Sequence, residues 1–149
     1  MQRLLCGIAA LLVSFGAAAQ SATPVGLWKT IDDSTRKDKS YVRITDAGGV
    51  LSGKIEKLID SPDADKLVCD KCTDDRKDKP IVGLQVIRGV KKSEEADSGR
   101  WEGGTILDPN NGKTYKVRLT PIEDGRKLEV RGYIGTPVFG RTQTWVRAD

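Results

Sequence analysis

The feature that most constrains this chain is a two-residue alternation of apolar and polar side chains, repeated over many short segments. Tyr115, Val117 and Leu119 alternate with polar neighbours, and the segment 126–134 repeats the pattern. Successive side chains of a β-strand point to opposite faces, so this alternation predicts strands with one buried and one solvated face. After residue 19, no long segment has the periodicity of an amphipathic helix. The sequence therefore predicts an all-β fold.

Eight strands are predicted by this criterion. They span residues 25–31, 40–46, 49–59, 81–89, 100–107, 113–120, 126–134 and 141–147. The connections are rich in Gly, Asn, Asp and Pro, which favour tight turns, so neighbouring strands are expected to pair antiparallel. The longest connection, 60–80, contains a proline, two cysteines and a dense run of charges, and we expect it to be an exposed crossover or lid.

Glycines inside the predicted strands indicate that the sheet is curved. Gly53, Gly83, Gly103, Gly104 and Gly132 lie in otherwise good strand patterns, where glycine marks a bend or a bulge. Eight curled antiparallel strands can close, and closure removes the exposed edges that invite aggregation. We therefore predict a single antiparallel up-and-down β-barrel of about eight strands; a two-sheet β-sandwich is the alternative.

The first 19 residues have the pattern of a secretory signal peptide. A basic residue, Arg3, precedes an apolar run over 4–13 and the small residues Ala17-Ala18-Ala19. We expect cleavage after Ala19, which would remove Cys6 and leave residues 20–149 as one periplasmic or secreted domain. A retained anchor is the competing interpretation, but the apolar run is shorter than the ~20 residues that span a bilayer. No transmembrane segment is expected after cleavage.

The charge pattern argues against nucleic-acid binding. The chain has 25 basic and 21 acidic residues, and the two signs are interspersed, as in the segment 74–79. Such a pattern is typical of a solvated surface and differs from the clustered basic stripe that follows a phosphate backbone.

Two cysteines, Cys69 and Cys72, follow the predicted signal. In an exported protein they are expected to form a disulfide with each other, which would fix a local turn. A redox-active pair is an alternative, although such pairs usually occur in a βαβ context. A zinc ion shared between two copies is another, since one cysteine pair supplies half of a four-sulfur site.

Catalytic and metal-binding patterns are weak. The chain has no histidine, the commonest general base, so we expect no enzyme activity, no cofactor and no metal. Glu102, Asp108 and Tyr133 are the first candidates if a catalytic site exists. Asp108, Asn110 and Asn111 offer oxygen ligands, but their spacing matches no calcium loop, and a tight turn needs the same residues.

Polar and aromatic residues are concentrated near the last two predicted strands. Arg141, Gln143 and Trp145 share one face of a strand, and Tyr133 lies on the strand before it. Phe139 lies in the loop 135–140 between them, where it could cap the mouth of a barrel or pack onto its end. These five residues are the predicted ligand-binding set.

The sequence resembles the bacterial domain-of-unknown-function 2147 family over nearly all of the mature chain. The resemblance rests on six segments: 24–28 (PVGLW), 79–84 (KPIVGL), 101–109 (WEGGTILDP), 112–115 (GKTY), 131–135 (RGYIG) and 140–145 (GRTQTW). The resemblance implies an exported domain with a β-barrel-like fold, and it implies no particular activity.

A weaker resemblance to lipocalin-like barrels rests on Gly26-Leu27-Trp28 in the first strand. In those barrels the tryptophan plugs the closed end and stacks on an arginine near the last strand. The resemblance implies a structural role for Trp28 and Gly26, with Arg141 or Arg147 as the stacking cation.

These observations favour a small periplasmic barrel that binds a hydrophobic or amphipathic small ligand in its interior. The alternative is a protein-interaction or structural module of the cell envelope, with a barrel filled by its own side chains. The volume of the barrel interior distinguishes these two functions, since an eight-stranded barrel can be filled or can hold one small ligand.

Overall fold

The computed structural model describes residues 22–149, so the predicted signal peptide, residues 1–19, lies outside the described residues. Eight strands follow one another along the chain. They are β1 (Gly26–Ile31), β2 (Asp38–Ala47), β3 (Val50–Leu58), β4 (Gln85–Lys92), β5 (Trp101–Asp108), β6 (Lys113–Ile122), β7 (Lys127–Tyr133) and β8 (Gly140–Arg147). Two single 3-10 turns, Ala64–Lys66 and Glu123–Gly125, lie between strands. Across residues 22–149, no helix has the length and apolar character needed to cross a membrane.

The strands form a closed barrel in which each strand pairs antiparallel with the next. Closure is completed by β1 and β8, which pair at Trp28↔Arg147 and Lys29↔Val146. The predicted up-and-down barrel of eight strands is therefore confirmed, and the sandwich alternative is wrong. The two-residue alternation also sets the burial, since the inward Val117 and Leu119 are buried while Lys116 is exposed.

The largest difference from the predicted boundaries concerns β4, which begins at Gln85 and not at residue 81. Residues 81–84 form a turn, in which the Leu84 N–H donates to the Ile81 carbonyl. Gly83 has a φ of +91° there, a backbone conformation that interrupts a strand. A second difference is Ile134, which falls within the predicted strand 126–134 but lies beyond the end of β7 and is 65% exposed.

One end of the barrel is closed by Trp28. Its side chain is fully buried, and its indole N–H donates to the Pro24 carbonyl at 2.7 Å. The Arg147 guanidinium carbon lies 4.3 Å from the centre of the Trp28 ring, so the structure places Arg147, and not Arg141, over this tryptophan. Gly26 has a φ of +139°, and a Cβ at this position would collide with the Arg147 guanidinium. Both conditions favour glycine at position 26.

The connection between β3 and β4 is more ordered than the sequence suggested. Most of its residues are exposed, as predicted, but Cys69, Cys72 and Arg76 are buried. The two sulfur atoms lie at disulfide-bonding distance. The disulfide turn packs on the β5–β6 turn so closely that a Cβ on Gly112 would overlap the Lys71 carbonyl. These contacts join segments far apart in sequence, which explains why local composition did not indicate the burial.

Arg76 fixes the same connection to the barrel. Its guanidinium donates to the Gln85 carbonyl at 2.9 Å and to the Asp74 carboxylate at 2.6 Å. The hydrogen bonds from Arg76 lower the pKa of Asp74 to about 2. The connection is therefore held by a buried arginine whose charge is matched by a neighbouring carboxylate.

Candidate functional site

Four connections meet at the end of the barrel opposite Trp28. They are the loops 32–37, 59–84, 109–112 and 134–139. Strand direction alternates along the chain, so each loop that follows an odd-numbered strand lies at this end. The loops surround the mouth of a cavity of about 1110 Å³ that opens to solvent.

The cavity occupies only the half of the barrel nearest the mouth. The half nearest Trp28 is filled by fully buried side chains, which include Ile44, Leu51, Val90, Val117, Leu119 and Leu128. Buried apolar side chains line the hollow half: Val42, Ile55, Ile81, Val86, Leu107, Val130 and Trp145. The barrel is therefore a cup with a packed base, an apolar wall and one opening.

A chain of hydrogen bonds runs from the mouth into the cavity along β8. The Trp145 indole N–H donates to Gln143 Oε1 at 3.0 Å, and Gln143 Nε2 donates to Asp33 Oδ2 at 2.7 Å. The Arg141 guanidinium reaches the same Asp33 oxygen at 3.0 Å. The Arg141 side chain is 69% exposed, so its pair with Asp33 lies at the rim. The hydrogen bonds therefore link the buried Trp145 to a charged pair at the rim.

Asp32 adds a second fixed negative charge at the rim. Its carboxylate accepts hydrogen bonds from the Ser34 hydroxyl at 2.6 Å and from the Thr35 backbone N–H at 2.8 Å. These bonds hold the pKa of Asp32 well below its usual value. The Lys39 ammonium lies 3.8 Å from this carboxylate, so the rim carries charges of both signs in close pairs.

Below the rim, Thr30 and Ser40 face each other across β1 and β2. Their hydroxyl oxygens are 2.7 Å apart, and both residues line the cavity and are 5% exposed. This pair is not among the site residues predicted from the sequence. A signal was present, because both residues occupy inward positions in the alternation that contains Trp28 and Val42.

The structure brings all five residues of the predicted ligand-binding set to the cavity or its mouth. Gln143 and Trp145 lie on the inner wall, and Arg141 lies at the rim. Tyr133 lies at the rim. Its ring is on the outer face of the barrel, with its centre 5.9 Å from the Arg118 guanidinium carbon. Phe139 is 77% exposed in the β7–β8 loop, directly before β8 begins.

Exposed large apolar side chains are concentrated around this mouth. Within residues 22–149, those that are clearly exposed lie in the loops 59–84 and 134–139; they are Leu67, Val68, Val82, Ile134, Val138 and Phe139. The loop 134–139 is fixed by Arg131 on the outer face of β7, which donates a hydrogen bond to the Pro137 carbonyl at 2.8 Å. An apolar molecule that approaches the mouth therefore meets apolar side chains before it enters the cavity.

The three candidates for catalysis do not form one cluster, because Glu102 and Tyr133 both lie beside Arg118 whereas Asp108 lies far from Glu102 along β5. Glu102 lies on the outer face, where it accepts hydrogen bonds from Arg118 at 2.9 Å and from Ser93 at 3.0 Å. Asp108 lies at the opposite end of β5, about 20 Å away at the usual rise of a strand. Its carboxylate accepts the Asn110 backbone N–H, as expected of a turn.

Comparisons with known proteins agree with this architecture. A family model described as "Uncharacterized protein conserved in bacteria (DUF2147)" matches residues 26–147. No curated protein matches the sequence. A solved structure, described as protein HP1028 from the human pathogen Helicobacter pylori and as belonging to the lipocalin family, is 20% identical in sequence. It aligns over 86% of this chain and 84% of its own, with a TM-score of 0.73. At this identity the likeness extends to the fold alone.

Proposed function

The chain belongs to the DUF2147 family, and from this premise we propose that it is a small periplasmic barrel that binds one hydrophobic or amphipathic small molecule in its cavity. The observation that carries the proposal is the cup itself, about 1110 Å³ of space with an apolar wall and one mouth. Small-molecule pockets are commonly ~300–1000 Å³ and mostly apolar, with few polar groups. This cavity is slightly larger than that range.

The apolar wall sets a minimum size for the ligand. Burial of one methylene releases ~0.8 kcal/mol, whereas association costs at least ~4 kcal/mol in lost freedom of motion. A molecule therefore needs more than about five buried methylenes to gain net affinity from the wall. A medium-length acyl chain or a molecule with fused apolar rings satisfies this requirement.

The alternative function is an envelope interaction module with a filled barrel. The exposed apolar side chains around the mouth favour it, because such patches often bind protein partners. The hollow half nearest the mouth supports the ligand-binding proposal instead. An eight-stranded barrel can be filled completely by its own side chains, and this barrel is not.

The periplasmic location is part of the proposal and rests on the signal-like residues 1–19 together with the paired cysteines. Disulfides persist outside the cytoplasm, where reducing systems do not break them. Sequencing of the N-terminus of protein from a periplasmic extract is expected to begin at Gln20. A chain that retains Met1 in the membrane fraction would contradict this location.

Native mass spectrometry of the protein purified from its own periplasm tests the ligand-binding proposal. We expect a mass that exceeds that of the mature chain by one small molecule, and loss of this excess on denaturation. Extraction with organic solvent should then produce an apo form that regains one molecule when lipid extract is added. An apo mass in every preparation, unchanged by added lipid, would contradict the proposal.

A further inference from the structure

Within the proposed ligand-binding function, we propose that Thr30 and Ser40 form a specificity site that binds an uncharged oxygen acceptor, such as a ketone or ester carbonyl, on the buried part of the ligand. Three properties carry the inference: the hydrogen-bonding capacity of the two hydroxyls, their burial, and the lack of a buried charge among the described residues that line the cavity.

The two hydroxyls do not satisfy each other completely. Each hydroxyl has one proton to donate and two lone pairs to accept with, and the bond of 2.7 Å between them uses only one of the two protons. Across residues 22–149, neither hydroxyl has a side-chain or backbone partner besides the other. One hydroxyl proton therefore remains available on the cavity wall, 95% shielded from bulk solvent.

An apolar ligand would leave this proton unpaired. Such a ligand displaces water from the wall and provides no acceptor, and an unpaired buried donor reduces affinity about 5- to 100-fold. A ligand whose oxygen lies beside Thr30 and Ser40 accepts a hydrogen bond from the free hydroxyl and avoids this loss of affinity. The pair thus discriminates between molecules that fit the same apolar wall.

The surroundings favour a neutral acceptor over a carboxylate. Among the described residues that line the cavity, the charged ones all lie at the rim and none is buried, and Arg141 is already paired with Asp33. A carboxylate beside Thr30 would be buried without a counter-charge, which is strongly unfavourable. A carbonyl carries no such penalty, so a charged head group is expected to stay at the rim.

The backbone around the pair is irregular. The β1–β2 register shifts between Thr30 and Ile31, and the β2–β3 register shifts between Tyr41 and Val42. Bulges redirect side chains and are frequent near barrel rims and functional sites. The two irregularities flank the hydroxyl pair on both strands, which is consistent with a wall shaped to present it.

The test compares two neutral probes of equal chain length, methyl nonyl ketone and undecane, each measured by displacement of N-phenylnaphthylamine from the full mature protein. The variant is Thr30→Val with Ser40→Ala, which removes both hydroxyls with little change in shape. We expect the variant to bind the ketone about 5- to 20-fold more weakly than the unmodified protein. The variant should bind undecane at least as tightly as the unmodified protein does, because no buried donor is then left unpaired. Undecanoate, whose carboxylate stays at the rim and whose apolar chain lies beside the pair, should follow undecane.

The matched control is Thr45→Val with Ser52→Ala. These residues form the same kind of cross-strand hydroxyl pair, at 3.5 Å, on the outside of the barrel, and their replacement should not change any affinity. The single variant Thr30→Ser, which keeps both hydroxyls, should bind the ketone as tightly as the unmodified protein does. Equal losses for ketone and undecane in the inner variant would overturn the inference while the ligand-binding function stands. Failure of the unmodified protein to bind any probe would overturn both.

Discussion

Replacement of Trp28 by alanine is expected to lower the free energy of unfolding by about 3–5 kcal/mol, the range found for large aromatic residues removed from a core. Trp28 is fully buried at the closed end, its indole N–H donates to Pro24, and Arg147 lies against its ring. Alanine would leave a cavity at the base of the cup. It would also leave the Arg147 guanidinium without the aromatic face that it contacts.

Urea unfolding followed by circular dichroism measures this effect, and Trp101→Ala is the matched control. Trp101 is only partly buried, and its ring lies 5.8 Å from the Lys92 ammonium near the surface. The same chemical change there removes less buried area, so the loss should be clearly smaller. If the two variants lose the same free energy, Trp28 is not the plug of the closed end.

The second large effect is expected from Gly132→Trp, which should lower the affinity for N-phenylnaphthylamine or a neutral lipid about 100-fold. Gly132 lies on the cavity wall, and a Cβ there would have ordinary contacts of 3.7 Å with Ile106 and Tyr115. The indole would extend into the cavity and displace three or four methylenes of the ligand. At ~0.8 kcal/mol each, this equals about two powers of ten in affinity.

Glu129→Trp provides the control for this variant. Glu129 lies on the same strand but is exposed on the outer face, so the same indole there should leave the affinity unchanged. Both variants should keep the circular dichroism spectrum of the unmodified protein. Undiminished binding by Gly132→Trp, in a folded protein, would show that the probe binds elsewhere on the molecule.

The barrel could be predicted from the sequence because its determinants are local. The alternation around Val117 and Leu128 sets which side of each strand faces inward, and the Gly- and Asn-rich turns set the order of pairing. The β4 boundary was missed because residues 81–84 are apolar enough to resemble a strand, while the positive φ at Gly83 ends the pattern. Composition does not reveal the backbone conformation that a glycine adopts.

The candidate site could be predicted only in part. Arg141, Gln143 and Trp145 were selected because they share one face of one strand, and the structure places that face toward the cavity. The pairing of Arg141 with Asp33, and the buried anchor made by Arg76, depend on loops that meet only after the barrel closes. Such contacts between distant segments have no signature in the local sequence.

The most direct test of the central claim, that the ligand occupies the open half of the barrel, uses the indole N–H resonances of the three tryptophans. Trp145 lines the cavity, Trp28 closes the opposite end and Trp101 lies away from the cavity. When a ¹⁵N-labelled sample is titrated with N-phenylnaphthylamine, the Trp145 signal should shift progressively, while those of Trp28 and Trp101 stay in place. A shift of Trp101 alone, or binding that leaves Trp145 unchanged, would contradict the account.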